Sequence, residues 1–502
     1  MFQIISANDA IAVIRDGDCI GLNAFLALNN TETLHRALAD RFARTGHPGA
    51  LRLFCAAGFG MWDETRQAEP YIKLGAVQEI VAGHYGSMPI ASRFAMENRI
   101  EAYNMPLGVL SQAIRAAAAG QPGLLSKVGL NLFVDPRVGS AALNERSKKQ
   151  WVEYVEVAGE PYLYYKTPRL DVAFIRGSTV DPNGNITFER EYLSLDALAM
   201  AQATKANGGT VIVEVSQVSH LFSRPQSVIV PGMLVDYVVV REEESMLGPY
   251  NPALSGDIHV PTSHMDYYMG QLRTSRRSRN PLDVSVDLIG ARAAREMTAG
   301  DIVNIGVGIP ETVGHHASRL GILKDTVMTV ESGGIGGLPA PGVAFGATIG
   351  ADMVCPMAAQ FDFYDGGGLD VCFMGGLEVD RFGNVNAHHL SPGFVGIGGF
   401  ANITHATKKV VFCMTFNTKG LHVERQGEGV QIVREGDVPK FRPEIAAISF
   451  SAKNALARGQ QVLYVTERCV FRLTAEGLKL EEVYPGVDAQ RDVLDRLDFE
   501  VA

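Results

Sequence analysis

Asp171-Val172-Ala173-Phe174-Ile175-Arg176-Gly177 runs on to Val180-Asp181-Pro182-Asn183-Gly184-Asn185-Ile186. Asp370-Val371-Cys372-Phe373-Met374-Gly375-Gly376 runs on to Val379-Asp380-Arg381-Phe382-Gly383-Asn384-Val385, at a constant offset of 199 residues. Each stretch opens with a short apolar run of strand type, passes a Gly-Asn turn and resumes as a second strand, which is a hairpin signal. A second landmark recurs in the same order. Gly17-Asp18 and Gly300-Asp301 each follow a helix-like segment and precede a strand, Ile20 onward in one case and Ile302–Ile305 in the other. Their offset of 283 differs from 199, so the first copy carries about 84 additional residues, expected around Gly58–Gly139.

Outward from the repeat, the same grammar continues. Ser6 with Asp9 three residues later starts a helix that Asp16-Gly17 is expected to end. A later helix is expected from about Asp287 to Met297, with Gly300 as its stop. Gly306-Val307-Gly308-Ile309-Pro310 then leads into another helix, Pro310 suiting its first turn. Alternating strand and helix predict an α/β protein built as two related α/β domains with mostly parallel sheets. The expected division is 1–243, a linker at 244–283, and 284–502. The linker holds Gly248-Pro249, Asn251-Pro252, Pro261 and the basic run Arg273–Arg279. That run reads as a solvated face, with a phosphate-binding patch as the alternative.

Composition narrows the function classes. The chain has 502 residues, 46% hydrophobic and 20% charged, so it has ample core and is not a disordered polymer. Fifty-three glycines predict many tight loops. A net charge of −10 argues against a nucleic-acid groove or an anionic membrane surface. No apolar run approaches the ~18 residues of a membrane span. The N-terminal stretch lacks a basic region before its apolar residues, so no signal peptide is expected. Six scattered cysteines without a Cys-x-x-Cys pair suggest core thiols of a reduced, cytoplasmic protein.

Chemistry concentrates after the β-branched strand Thr326–Val330. Glu331-Ser332-Gly333-Gly334-Ile335-Gly336-Gly337 follows at once, and ligands of open α/β sheets bind beyond the carboxyl ends of strands. Glu331 there can be a base, a metal ligand, a nucleophile, or only an acid capping a turn. Gly306 and Gly308 open a helix and offer amides to an anion. Gly396-Ile397-Gly398-Gly399-Phe400-Ala401-Asn402-Ile403 is a third glycine loop. The doublets His315-His316 and His388-His389 point their side chains apart on a regular element and match no metal pattern, so no metal is expected.

Together these segments resemble family I coenzyme A transferases, in the acetate/propionate branch that fuses both halves in one chain. Residues 331–337 resemble the family's nucleophile motif and 396–403 its second glycine motif. Gln360 to Asp370 resembles the branch signature, and Phe133-Val134-Asp135-Pro136-Arg137 matches in the first half. The resemblance implies a CoA-transferase in which Glu331 forms a glutamyl-CoA thioester. It implies CoA binding by Gly306, Gly308, Gly398, Gly399 and Asn402 in the second domain. The first domain is then the acyl and acceptor side, with Asn23 and Leu107 in the acyl pocket. The implied partners are acyl-CoA and small carboxylic acids, with no resident cofactor, no nucleic acid and no membrane, in a homo-oligomer such as a tetramer. The chain departs from the family pattern at Pro106-Leu107-Gly108, where the family has Pro-Gln-Gly, and at Gly139-Ser140-Ala141, which replaces Gly-Gly-Lys. The family's first-domain Gly-Gly-Phe loop is also altered at Gly21–Phe25. Two other readings stay open at this point: an acyl-CoA hydrolase on the same fold, and a non-catalytic acyl-CoA-binding module.

Overall fold

The computed structural model describes residues 2–241, 283–340, 344–390, 393–427 and 429–502. The expected linker with its basic run Arg273–Arg279 lies outside the described residues, apart from Asp283.

Val172–Arg176 is apolar along four consecutive positions, all buried, as a parallel strand covered on both faces must be. It sits inside an eight-stranded sheet. We number the strands of that sheet β1 Gln3–Ile4, β2 Cys19–Leu22, β3 Leu51–Cys55, β4 Val77–Ala82, β5 Glu101–Asn104, β6 Val172–Arg176, β7 Thr210–Val215 and β8 Tyr237–Val240. Their spatial order is β1-β8-β7-β6-β2-β3-β4-β5, and every neighbouring pair is parallel. The second half builds a nine-stranded sheet from β9 Ile302–Ile305, β10 Val327–Thr329, β11 Gly334–Ile335, β12 Met353–Val354, β13 Val371–Gly375, β14 Lys409–Cys413, β15 Gln461–Val465, β16 Cys469–Thr474 and β17 Gly477–Val483. The order is β12-β11-β10-β9-β13-β14-β15-β16-β17, with a parallel centre from β10 to β15 and antiparallel margins.

The duplication read from sequence is the organising fact. β6 lies between β2 and β7, and β13 lies between β9 and β14, in the same directions. The repeated aspartates do the same work in both copies. Asp171 accepts the Cys19 N–H at 2.8 Å and Asp370 the Ile302 N–H at 2.9 Å, each tying the start of a neighbouring strand. Asp181 accepts from the Asn183 and Asn185 amides, as Asp380 does from Phe382 and Asn384.

Three expectations need correction. The hairpin pairs Thr179–Val180 with Ile186–Thr187, and Glu378–Asp380 with Val385–Asn386. The apolar run before it enters the large sheet instead, because its side chains are apolar on both faces. The first helix, α1 (Ala7–Ile11), is capped by the Ser6 side chain as expected but ends well before Gly17, since Ile14 turns inward to a buried position. The additional first-half residues occupy the expected Gly58–Gly139 but run beyond it to Lys166. They supply β4, β5 and a three-stranded antiparallel sheet of Gly123–Ser126, Val152–Val157 and Glu160–Lys166. The expected helix from Asp287 is observed at Val284–Ala293, its Asp283 side chain accepting from the Ser285 N–H, and a 3-10 turn continues it to Glu296.

Two helices of the second half, α3 (Met357–Asp365) and α4 (Phe400–Ala406), pack against α2 (Leu107–Ala118) of the first. One apolar cluster runs through both halves and contains Leu107, Val109, Met357, Phe361, Ile397 and Ala401. The halves therefore share a core, and the interface lies beside the carboxyl end of β10. All six cysteines are buried and free. No described helix is long and apolar enough to cross a membrane.

Candidate active site

β10 is a three-residue strand whose register with β9 pairs Asn304 with Thr329. Two residues further along the two segments come Gly306 and Glu331, past the carboxyl edge of the sheet, where ligands of open α/β sheets bind. Glu331 is only 9% exposed. Burial pushes its carboxyl from the ordinary 4.5 up to about 7, and the Gly399 N–H that donates to it pulls weakly the other way. Ser332 beside it is fully buried and donates its hydroxyl to the Gly346 carbonyl, which anchors the loop.

Gly399 must be glycine. A Cβ there would overlap the Glu331 Oε2, and the Phe361 ring closes the remaining space. Gly398, one residue earlier, has a φ of 54° and faces open space on the side where a Cβ would lie. The first half fixes this loop by its backbone. Gly398 N–H donates to the Gly83 carbonyl at 2.7 Å, the Gly398 carbonyl accepts from Leu107 N–H at 2.9 Å, and Ile397 N–H donates to the Asn104 Oδ1 at 2.9 Å. Behind Glu331, the buried Tyr364 hydroxyl donates to Thr329 Oγ1 at 2.9 Å and accepts from Asn304 Nδ2 at 3.3 Å.

Five of the residues singled out from sequence are thus brought together: Glu331, Gly398, Gly399, Asn402 and Leu107. Several candidates make contacts other than those expected. Asn402 is wholly buried, its Oδ1 accepting from Gly108 N–H at 3.1 Å and its Nδ2 donating to Asp365 at 3.0 Å. Its amide joins the two halves and has no donor to spare for CoA. Gly306 follows the neighbouring strand β9, and its N–H donates to the Phe373 carbonyl at 2.8 Å. Gly308 is exposed and its N–H is taken by the Glu311 carboxylate at 2.8 Å, which puts a negative charge where an incoming anion would sit. Asn23 is committed to the 194–196 turn, donating to the Ser194 carbonyl at 3.3 Å and accepting from Asp196 N–H at 3.0 Å. Leu107 opens α2 and is 1% exposed.

Sequence reasoning passed over Gly83, Asn104 and Asp196, none of which lies in a recognisable pattern. Phe361, Tyr364 and Asp365 lay inside the quoted 360–370 segment without assigned roles. The histidine doublets have structural partners: His316 pairs with Asp287 at 3.0 Å, and His388 Nδ1 meets Ser449 Oγ at 2.6 Å under the Phe133 ring. Among the described residues no cluster of side chains is arranged to hold a metal.

A duplicated α/β fold that buries a glutamate of raised pKa against a glycine loop at the seam of its halves has the features of an enzyme active site. Comparison with known proteins makes this specific. Residues 4–241 and 286–493 match the coenzyme A transferase family model, and the chain belongs to that family. It is 42% identical to the acetate CoA-transferase YdiF of Escherichia coli O157:H7 over 502 residues, covering 99% of this chain and 92% of that one. It is 38% identical to the caffeate CoA-transferase of Acetobacterium woodii over 510 residues, covering 99% and 94%. The crystal structure of YdiF in thioester complex with CoA superposes with a TM-score of 0.89 at 39% identity, covering 100% of this chain and 93% of that one. The protein is a CoA-transferase, an enzyme that moves CoA between an acyl-CoA and a carboxylic acid.

Proposed function

We propose that Glu331 is the nucleophile and carries CoA as a glutamyl-CoA thioester. Its carboxylate oxygen attacks the thioester carbonyl, the C–S bond breaks, and CoA leaves as thiolate from an acyl-glutamyl anhydride. The thiolate then attacks the Glu331 carbonyl and releases the first carboxylate, leaving the glutamyl thioester. An acceptor carboxylate runs the two steps in reverse, so the thioester energy is never lost to water. The observation that carries this reading is the burial of Glu331. A desolvated carboxylate with its pKa lifted to about 7 is a stronger nucleophile than one in water, and the Gly399 N–H stands where oxyanion charge develops. The thioester complex of the YdiF structure supports the same chemistry.

The CoA ester lies along the open edge at Gly398 and beside Gly306, and the acyl group faces the first half near Leu107. Relatives acting on acetate and caffeate support carboxylic acids as donors and acceptors, and the steps drawn above call on no resident cofactor. Six buried free thiols suit a cytoplasmic enzyme, and the assembly expected is a homo-oligomer.

The test is incubation with acyl-CoA in the absence of acceptor, trapping with borohydride or hydroxylamine, and peptide mapping. Label on Glu331 is expected. Label elsewhere, or turnover without any label, ends the assignment. Acyl-CoA loss that does not depend on an added carboxylate identifies a hydrolase instead.

A further inference from the structure

Asp196 immediately precedes the helix Ala197–Ala206, the place where an aspartate ordinarily caps its own helix. Its side chain makes no such bond. It reaches into the other half of the molecule. The carboxylate accepts the N–H of Ala358 and the Ser111 hydroxyl at 2.6 Å, while the neighbouring Leu195 carbonyl accepts the Met357 N–H at 3.2 Å. Met357 and Ala358 are the first two residues of α3, whose own N-cap, Pro356, supplies no side-chain bond. The first half therefore caps a helix of the second.

The other end of α3 is held from the same side. Arg115 of α2 pairs with Asp362, and Gln112 donates to Asp365 at 2.9 Å. Between these two anchor points α3 carries Phe361, which packs against Gly399 and Gly108, and Tyr364, bonded to Thr329 two residues before Glu331. Asp196 is 4% exposed, and burial pushes its carboxyl up to about 6. Keeping an ionisable group in such a place costs free energy that a neutral side chain would not.

From this juxtaposition we infer that Asp196 is a positioning residue for the transfer reaction: by capping α3 from the opposite domain it sets Phe361 and Tyr364, and through them the place of Glu331 against Gly399. Asn23, whose Oδ1 accepts the Asp196 N–H, belongs to the same device rather than to an acyl pocket. The inference rests on Glu331 being the nucleophile.

The experiment compares Asp196→Ala, Asp196→Asn and Ser111→Ala with the unaltered protein. It measures steady-state exchange per folded active site and the rate of CoA adduct formation at Glu331. Misplacement of a reacting group by about 1 Å can cost ~100-fold. Asp196→Ala is expected to lower kcat and the adduct rate together by 10- to 100-fold, leaving the KM for acyl-CoA within about twofold because that ester is held by other residues. Asp196→Asn is expected to recover most of the rate, since its carbonyl accepts from Ala358 and its amide donates to Ser111 Oγ. Ser111→Ala, which leaves the cap on α3, is expected to lose several-fold in kcat and gives an answer if Asp196→Ala does not fold. Unchanged kcat per folded site in Asp196→Ala, a loss confined to KM, an Asn variant no better than Ala, or full activity in Ser111→Ala overturns the inference. Adduct mapping on the unaltered protein separates this outcome from a wrong nucleophile, which would place the label elsewhere.

Discussion

Replacing Glu331 with Gln should make the protein more stable, and only where the carboxyl would be ionised. The native pKa of about 7 lies above the 4.5 of an ordinary glutamate, so the folded state holds its proton more tightly than the unfolded chain. A raised carboxyl contributes stability that is fully present below 4.5 and lost as pH rises through about 7. At ~1.4 kcal/mol per pH unit the full cost above pH 7 is about 3 kcal/mol, of which roughly 2 kcal/mol develops between pH 5 and pH 8. Gln cannot ionise, has nearly the same shape, and keeps a carbonyl to accept from Gly399. Differential scanning of both proteins at one heating rate and at both pH values isolates this residue, because Glu69 and Glu214, also lifted to about 7 by burial, are common to both and cancel. The variant should melt a few degrees higher at pH 8 and close to the parent at pH 5. A difference that is the same at both pH values, or that shrinks as pH rises, would refute the idea that the native site desolvates this carboxylate. The price of nucleophilicity would then have to be sought elsewhere.

The same pKa governs rate with the opposite sense. In the proposed mechanism the attacking form is the carboxylate, so kcat/KM for acyl-CoA should fall about tenfold per pH unit below 7 and level off above it; a flat profile from pH 5 to 8 removes Glu331 as an ionising nucleophile. Gly399→Ala places a methyl on the Glu331 Oε2 and should reduce adduct formation by more than about 100-fold in a folded protein; near-normal labelling means the two segments separate in solution. Leu107→Gln puts an amide where the family pattern has one, and a supplied oxyanion donor is worth roughly 3 kcal/mol. Exchange with acetyl-CoA should therefore rise relative to longer acyl groups, each of whose methylenes gains ~0.8 kcal/mol from burial. Fast acetyl turnover in the unaltered protein, insensitive to this change, shows that the donor is already present.

Strand and loop positions were legible wherever local pattern fixes them. Ile302–Ile305 was read to the residue, because its strand is bounded by Gly300 and Gly306. The duplication was legible because Asp171 and Asp370, or Asp181 and Asp380, bind backbone at fixed short range and so recur in fixed spacing. Partners far apart in the chain were not legible. Asn402 looked like a ligand contact because it ends a glycine motif, yet the groups that consume its amide lie at Gly108 and Asp365. Gly308 looked like an anion cradle because its neighbours suit a helix start, but a single acidic side chain, Glu311, fills it. Asp196 drew no notice in the sequence, because it stands before one helix while its partners lie at Ser111 and on another helix far along the chain.

The duplication also explains why only one half carries a buried glutamate at this position. Arg52 stands beside Cys19 as Val327 stands beside Ile302, and Cys19 and Ile302 are the repeated positions themselves. Four residues further along each strand come Ala56 in the first half and Glu331 in the second. Ala56 is 3% exposed and its carbonyl accepts the Gly83 N–H at 3.2 Å. A glutamate there would repeat the cost of a buried carboxylate, about 3 kcal/mol if lifted as Glu331 is. Freed of that cost, the first half offers backbone instead. The Gly83 carbonyl and the amides of Leu107 and Gly108 bond to Gly398 and Asn402, and so hold the loop that faces the carboxylate of its twin. One copy keeps the charged group and the other keeps it in place, which is why the site lies on the seam and why neither sheet edge is sufficient without the other.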